Sequence, residues 1–357
     1  MNFNCDVLII GQGIAGTTLA FELKKKGKSV VLIDNNHSNS SSLVAAGIVN
    51  PIVFKRLTKS WNVDKFYPAL IKFYEEIEGL LGISMLHHLP ILKLFSSVKD
   101  QNDWFEKSDT IGYDLYLGEV FSRKEVEEKY AVKAPFGGGL LKKSCYLDLS
   151  IFLKHSKNYF NNNKELITAE VNYDYFNFNN CFYKSDEFKI SFGKVVFCEG
   201  YKAQQNPFFK NLPFKLVKGE IMNIEHDALD LDVVLNKNGF LMPIGQNKFK
   251  VGATYEWNEL NQEPSEKGKA QLLEKLTLIK EDDFKIIKHW AGVRPTTSDR
   301  RPLLGESTLQ NNAYIFNGLG TKGVMIAPFY ATQMFKFLCN ETELDDEVSL
   351  KRISKIQ

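Results

Sequence analysis

Asp6-Val-Leu-Ile-Ile-Gly11-Gln-Gly13-Ile-Ala-Gly16, continued by Thr17-Thr-Leu-Ala-Phe-Glu-Leu-Lys-Lys-Lys26 and Gly27, decides the fold of this chain. Val7–Ile10 is an unbroken apolar run, the pattern of a parallel strand buried on both faces. Three glycines at GxGxxG spacing follow at once, and the residues after them repeat at helical spacing. Lys24, Lys25 and Lys26 stand in the last helical turn, where cations complement the dipole, and Gly27 suits the position after the C-cap. Ser29-Val-Val-Leu-Ile-Asp34 then reads as a second buried strand ending in a carboxylate.

Each part has a physical task in binding a dinucleotide. Gly11 permits the tight turn, Gly13 lets the backbone approach a pyrophosphate, and Gly16 lets the helix pack closely on the strand. The first helical turn, with Ile14 and Ala15, offers free N–H groups to the anion. Asp34 lies about 20 residues beyond the glycines, where an acid hydrogen-bonds ribose hydroxyls. A bare GxGxxG is a weak signal. Here strand, glycines, helix, strand and acid occur in order within the first 34 residues, and together they predict a Rossmann-type nucleotide domain.

The whole chain sets the frame. Its 357 residues suffice for two domains, and 44% hydrophobic and 25% charged residues allow a large core. The 45 basic and 43 acidic side chains leave a net charge of +2, no electrostatic footprint for nucleic acid. Enzymes that grip tRNA through a few local contacts remain compatible with that balance. Five cysteines, at 5, 145, 181, 198 and 339, form no CxxC pair, which suits a reducing compartment and predicts neither a disulfide framework nor a metal site. Met1–Asp6 lacks a basic leader region, and Val7–Phe21 is too short and too polar to span a bilayer. The expectation is a soluble cytoplasmic protein without internal repeats.

The fingerprint alone does not choose between NAD and FAD. Near the other end, Ala313-Tyr-Ile-Phe-Asn317 reads as a strand, followed by Gly318-Leu-Gly320-Thr321-Lys322-Gly323 and the apolar helix VMIAPFYATQMFKFLC. Only a polar tail follows that helix, so this second glycine cluster opens no second Rossmann unit. Either it is a turn that merely packs, or the helix N-terminus points at a bound group. A reduced flavin carries negative charge near N1 and O2, which a partly buried helix N-terminus stabilises by up to ~2 kcal/mol. A further strand, Lys194-Val-Val-Phe-Cys-Glu199-Gly200, stands in mid-chain. Nucleotide-domain pieces thus occur at the start, middle and end, which predicts a discontinuous domain with a second domain inserted.

These segments resemble the glycine oxidase and D-amino-acid oxidase family of FAD-dependent oxidoreductases, in matching order along most of the chain. Ser40-Ser41-Ser42-Leu-Val-Ala45-Ala46-Gly47-Ile-Val49-Asn-Pro51 is similar to the family's Ser-rich stretch, which passes the pyrophosphate and covers the flavin ring. Glu170-Val171 resembles the pair whose backbone meets the adenine. Glu199 and Gly200 end a strand that closes on a small residue and glycine in the family. Val217-Lys-Gly-Glu220, Phe240-Leu-Met-Pro243 and Val251-Gly-Ala-Thr254 resemble strands of the substrate domain. Trp290-Ala-Gly-Val-Arg294-Pro is the most specific match, and the resemblance makes Arg294 the residue that binds a substrate carboxylate. Two features depart: Phe240 stands where glycine oxidases often carry tyrosine, and GLGTKG-VMIAP is closer to the FAD domain of bacterial tRNA wobble-uridine modification enzymes.

Arg294 also draws attention by itself. Pro295 restricts its backbone, and a planar guanidinium grips a carboxylate bidentately. An internal acid such as Asp299 is the competing partner. Lys322 either places a positive charge near flavin or oxygen, or is simply solvated. His87 and His88 have no ligand spacing, Trp61 and Tyr67 suit core packing, and Arg56 and Lys59 form a small basic cluster.

The reading is an α+β fold, with a Rossmann-like FAD domain at 1–60, 145–207 and 290–357 and a mixed or antiparallel substrate domain at 61–144 and 208–289. The resemblance implies oxidation of a small amine or amino acid, with hydride transfer to flavin N5, hydrolysis of the imine, and oxygen or another electron acceptor. The alternatives are an oxidoreductase acting on a carboxymethylaminomethyl group in tRNA, and a flavin-binding protein without turnover.

Overall fold

In the computed structural model, residues 1–279 and 283–355 are described. Residues 280–282 and 356–357 of the predicted domain ranges lie outside them.

The apolar run at the N-terminus forms strand Asn2–Ile10, which sits at the centre of a largely parallel sheet. It pairs in parallel with Val30–Asp34 on one side and Lys189–Phe197 on the other. Leu166–Thr168 adds beyond Val30–Asp34, and Ala313–Asn317 lies parallel to Lys189–Phe197. Antiparallel pieces, Phe182–Lys184 and Leu303–Glu306, complete the edge. Leu8, Ile9, Leu32, Ile33, Val195 and Val196 are fully buried, as strands covered on both faces require. The carboxyl ends of the parallel strands lead directly into Gly11, Asp34, Cys198 and Asn317, all of which line one cavity. Ligands of open parallel sheets sit at that end.

A second sheet runs in the order Lys285–Arg294, Val217–Glu225, Lys248–Gly252, Phe240–Pro243, Val234–Asn236, Ile91–Leu94, Gly138–Leu141, Leu117–Phe121. It is antiparallel except where Val234–Asn236 meets Ile91–Leu94. One face packs on a cluster that includes Leu272 and Leu276 of helix Glu266–Leu276. The other face carries Gly219, Ile221, Val234, Phe240 and Arg294 to the cavity. The fold is α+β, as the sequence predicts.

Two helices start from the carboxyl ends of the first sheet's strands. Ile14–Lys25, directly after the glycine turn, packs against Gly323–Leu338. The latter also packs on Val63–Leu81 and contains Pro328. Proline has no N–H, so the carbonyl four residues back loses its helical donor. That carbonyl, of Val324, accepts instead from the fully buried Tyr74 hydroxyl at 3.0 Å. Among the described residues no helix is long and apolar enough to cross a membrane.

Candidate active site

The cavity has a volume of about 640 Å³, within the range of ligand sites. It extends from the first sheet's carboxyl ends to the inner face of the second sheet. Of the predicted residues, Gly11, Gly13, Ile14, Ala15, Asp34, Ser41, Ser42, Ala45, Ala46, Gly47, Val171, Glu199 and Gly200 line it. So do Arg294, Gly320, Thr321, Lys322 and Gly323.

Gly16, Gly318 and Val49 stand behind this surface. A Cβ on Gly16 would meet the Gly11 carbonyl oxygen at 1.9 Å, so its task is close helix–strand packing. Gly318 has φ +71° and turns the chain out of strand Ala313–Asn317. Val49 is 1% exposed, whereas its neighbours Ile48 and Asn50 line the cavity. The alternation of an extended chain sends it the other way.

The glycine turn is built around Asp34. One carboxylate oxygen accepts from Gln12 N at 2.7 Å and the other from Asn36 N at 2.7 Å, which holds the acid at the cavity wall. Helix Ile14–Lys25 has no side-chain cap at Gly13. Its first N–H, of Ile14, donates to Ser42 Oγ at 3.0 Å, joining the Ser-rich stretch to the helix start. An uncapped helix N-terminus beside two cavity-lining glycines is a cradle for a pyrophosphate. The turn closes this tightly only with glycine: a Cβ on Gly11, at φ +102°, would lie 2.6 Å from the Cys198 carbonyl oxygen. The residues present therefore fit a dinucleotide.

At the second glycine cluster, the turn Gly320–Lys322 opens helix Gly323–Leu338, again without a capping side chain. Lys322 donates to Ser60 Oγ, and burial pulls its pKa down to about 8. Glu199 is held the opposite way. Burial raises its carboxyl to about 7, although Asn206 Nδ2 and the Tyr173 hydroxyl each donate to it at 2.7 Å.

Arg294 ends strand Lys285–Arg294, opposite Val217. Its Nη1 donates to the carbonyls of Thr254 at 3.2 Å and Lys218 at 3.5 Å. The guanidinium carbon lies 4.8 Å from the centre of the Tyr255 ring. Among the described residues no carboxylate pairs with it, and burial lowers its pKa from the ordinary arginine value. Asp299, its competing partner in the sequence, pairs with Arg352 at 2.9 Å. A guanidinium so placed keeps donors and full charge for an anion in the cavity.

Other singled-out residues stand apart from the cavity lining. Trp61 donates to Glu347 and lies under the Arg301 guanidinium, and Tyr67 packs on the main core. Lys59 pairs with Asp64 and Arg56 is exposed. His87 stacks on Tyr146, and His88 is exposed. Sequence reasoning missed Gly219 and Tyr255 as cavity residues. Both lie in or beside quoted segments, and the alternation Val217–Lys218–Gly219–Glu220 was the signal that assigns faces. Val234 and Asn236 had no such signal.

The family described as "DAO: FAD dependent oxidoreductase" matches residues 6–335. Glycine oxidase of Bacillus licheniformis is 24% identical over 348 residues, covering 90% of each chain. The tRNA 5-methylaminomethyl-2-thiouridine biosynthesis bifunctional protein MnmC of Campylobacter jejuni is 21% identical over 322 residues, 85% of this chain and 46% of that one. In three dimensions, glycine oxidase from Bacillus cereus superposes with a TM-score of 0.81 at 18% identity, over 95% of this chain and 96% of that one.

Proposed function

This chain belongs to the FAD dependent oxidoreductase (DAO) family, and from that premise we propose that it oxidises the C–N bond of a small amine or amino acid to an imine. It is a flavoenzyme. The single observation that carries the substrate reading is Arg294, a cavity guanidinium without a carboxylate partner among the described residues. A glycine oxidase also matches over nearly its whole length.

In this reading the Gly11–Ala15 turn holds the pyrophosphate of FAD, Asp34 the ribose and Val171 the adenine. Ser41, Ser42 and Ala45–Gly47 run alongside, and Gly320–Gly323 present the second helix N-terminus. FAD, when bound, supplies the acceptor for a hydride from the substrate carbon. Arg294 anchors the carboxylate and so fixes which carbon is presented, and such positioning accounts for most of the catalysis. Phe240 and Ile221 keep that end of the cavity apolar, which strengthens the charge–charge contact. Lys322 adds a second cation. Water then hydrolyses the released imine. We assign residues 1–60, 145–207 and 295–355 to the cofactor domain; residues 290–294, expected there from the sequence, go to the substrate domain, because the strand ending at Arg294 belongs to the second sheet.

A second reading, oxidation of a carboxymethylaminomethyl group on tRNA, draws on the GLGTKG-VMIAP segment and the match to the bifunctional tRNA protein. Its substrate also presents a carboxylate beside a secondary amine, so it uses the same arginine. Anaerobic titration of the purified yellow protein against amines, amino acids and bulk tRNA tests both. Bleaching by an amino acid, with colour restored and peroxide released on admitting air, supports an oxidase. Recovery only with an artificial acceptor makes it a dehydrogenase. Bleaching by tRNA alone supports the second reading, and a flavin unmoved by every nitrogenous compound refutes both.

A further inference from the structure

Beyond Thr254 the chain leaves the second sheet, and its next residues are fixed more firmly than a surface loop requires. Lys218 N donates to the Glu256 carbonyl at 2.9 Å and Glu256 N donates back to the Lys218 carbonyl at 3.0 Å. The fully buried Lys218 ammonium donates to Asn261 Oδ1 at 2.7 Å. Its neighbour Glu220, 2% exposed, accepts from Ser265 N at 3.0 Å and Ser265 Oγ at 2.7 Å. The Glu256 carboxylate accepts from Trp257 N at 2.9 Å and Asn258 N at 3.0 Å. Buried charges are costly unless they are paired and bonded, and here that arrangement ties down both ends of one short segment.

The side chains on this rigid backbone are two large rings. Tyr255 and Trp257 are 52% and 53% exposed, and they stack with centroids 6.2 Å apart and planes inclined by 23°. Tyr255 also lines the cavity and carries the Arg294 guanidinium. A continuous run of π surface therefore leads from the carboxylate-binding arginine to solvent.

We propose that Tyr255 and Trp257 form a stacking subsite for a planar ring carried by the substrate, while the substrate's amine and carboxylate arm reaches Arg294. This rests on the amine reading above and names the substrate class for it: a secondary amine joining an acetate to a ring-bearing methylene. Stacking suits any planar π system. Rings already stacked on each other and on Arg294 lose less freedom on binding, so the contact is gained at lower entropic cost. Continuity with the cavity selects a ring attached to the reacting molecule over a separate protein partner. The ring is either that of a free aromatic amine or a nucleobase, and both offer the same face.

Flavin reduction in the holoenzyme is measured with four substrates: N-methylglycine, N-benzylglycine, N-(cyclohexylmethyl)glycine and 5-(carboxymethylaminomethyl)uridine. The expected result is a KM about tenfold or more lower for at least one planar-ring substrate than for the ringless and cyclohexyl compounds. Trp257→Ala abolishes that preference and leaves N-methylglycine unchanged, and Trp257→Phe restores most of it. Preference for the uridine assigns a nucleobase, and preference for the benzyl compound assigns a free aromatic amine. Equal KM for the cyclohexyl compound and both planar-ring compounds overturns stacking. Reduction by all four with no effect of Trp257→Ala, or with an equal effect on all, overturns the subsite and leaves the amine reading standing. Reduction by none overturns the N-substituted acetate class and the subsite with it.

Discussion

Gly219→Ala moves the arginine without removing its charge. Gly219 faces Gly292 across the paired strands, and a Cβ there would lie 1.9 Å from Arg294 Nη2, 2.1 Å from Cζ and 2.2 Å from Nη1. Ordinary contact begins near 3.4 Å, so the guanidinium must retreat by about 1.5 Å, a displacement of the size that can cost about 100-fold in rate. Loss of one of two charge-assisted hydrogen bonds to the carboxylate costs about 1.5–3 kcal/mol. Both routes give a fall of about 10- to 100-fold in kcat/KM. Alanine is compatible with a strand, so FAD content and thermal midpoint should match the wild type. Arg294→Ala should cost at least ~3 kcal/mol, because a desolvated carboxylate loses its countercharge. Adding Gly219→Ala to that variant should then change little, since the two act on one contact. The assay is anaerobic flavin reduction by an amino acid and by its decarboxylated analogue. Equal losses for both compounds, or additive losses in the double variant, would refute carboxylate anchoring by Arg294.

Three further outcomes are expected. Asp34→Ala should raise the Kd for FAD about 10- to 100-fold, from the ~1.5–3 kcal/mol of a hydrogen bond to a charged group, and Asp34→Asn should raise it less; fluorescence titration of the flavin-free protein measures both. Burial raises the Glu199 carboxyl to about 7 in the fold against its ordinary 4.5, so the folded protein holds the extra proton and stability falls as pH rises through that window, by roughly 3 kcal/mol. Urea midpoints of the flavin-free protein should show this slope, and Glu199→Gln should flatten it; an unchanged slope would assign it elsewhere. Lys322, with its pKa lowered to about 8, should give kcat/KM an alkaline limb near that pH, which Lys322→Met removes while FAD stays bound. The same limb in the variant would discard Lys322 as its origin.

The nucleotide half of the molecule was legible because its signals are local. An apolar run, three spaced glycines and Asp34 lie within one strand–helix–strand unit, and Gly11, Gly13 and Asp34 meet at the cavity for that reason. Arg294 was legible as a candidate, yet its choice between a substrate and Asp299 was not, because Arg352 approaches Asp299 from 53 positions away. Alternation gives Gly219 a face, but which face meets the cavity depends on register between strands distant in sequence, and Tyr255 lies past the end of strand Lys248–Gly252. Lys218 and Glu220 break the usual rule that charged side chains face water. They are 1% and 2% exposed; their charges stand 3.6 Å apart, His289 Nε2 lies 2.8 Å from Glu220, and the segment from Asn261 to Ser265 folds over them.

Pro328 and Tyr74 carry a consequence for how such a chain can change over generations. The proline deprives the Val324 carbonyl of its helical donor, and the buried phenol from another helix replaces it. Losing the hydroxyl alone, as in Tyr74→Phe, strands a buried acceptor at about 1–3 kcal/mol. Restoring the amide, as in Pro328→Ala, makes the hydroxyl redundant. The order of substitution therefore matters: alanine first opens a path to phenylalanine, whereas phenylalanine first crosses a valley. A proline in the helix whose first residues line the cavity and a tyrosine 254 positions upstream are therefore coupled through one carbonyl.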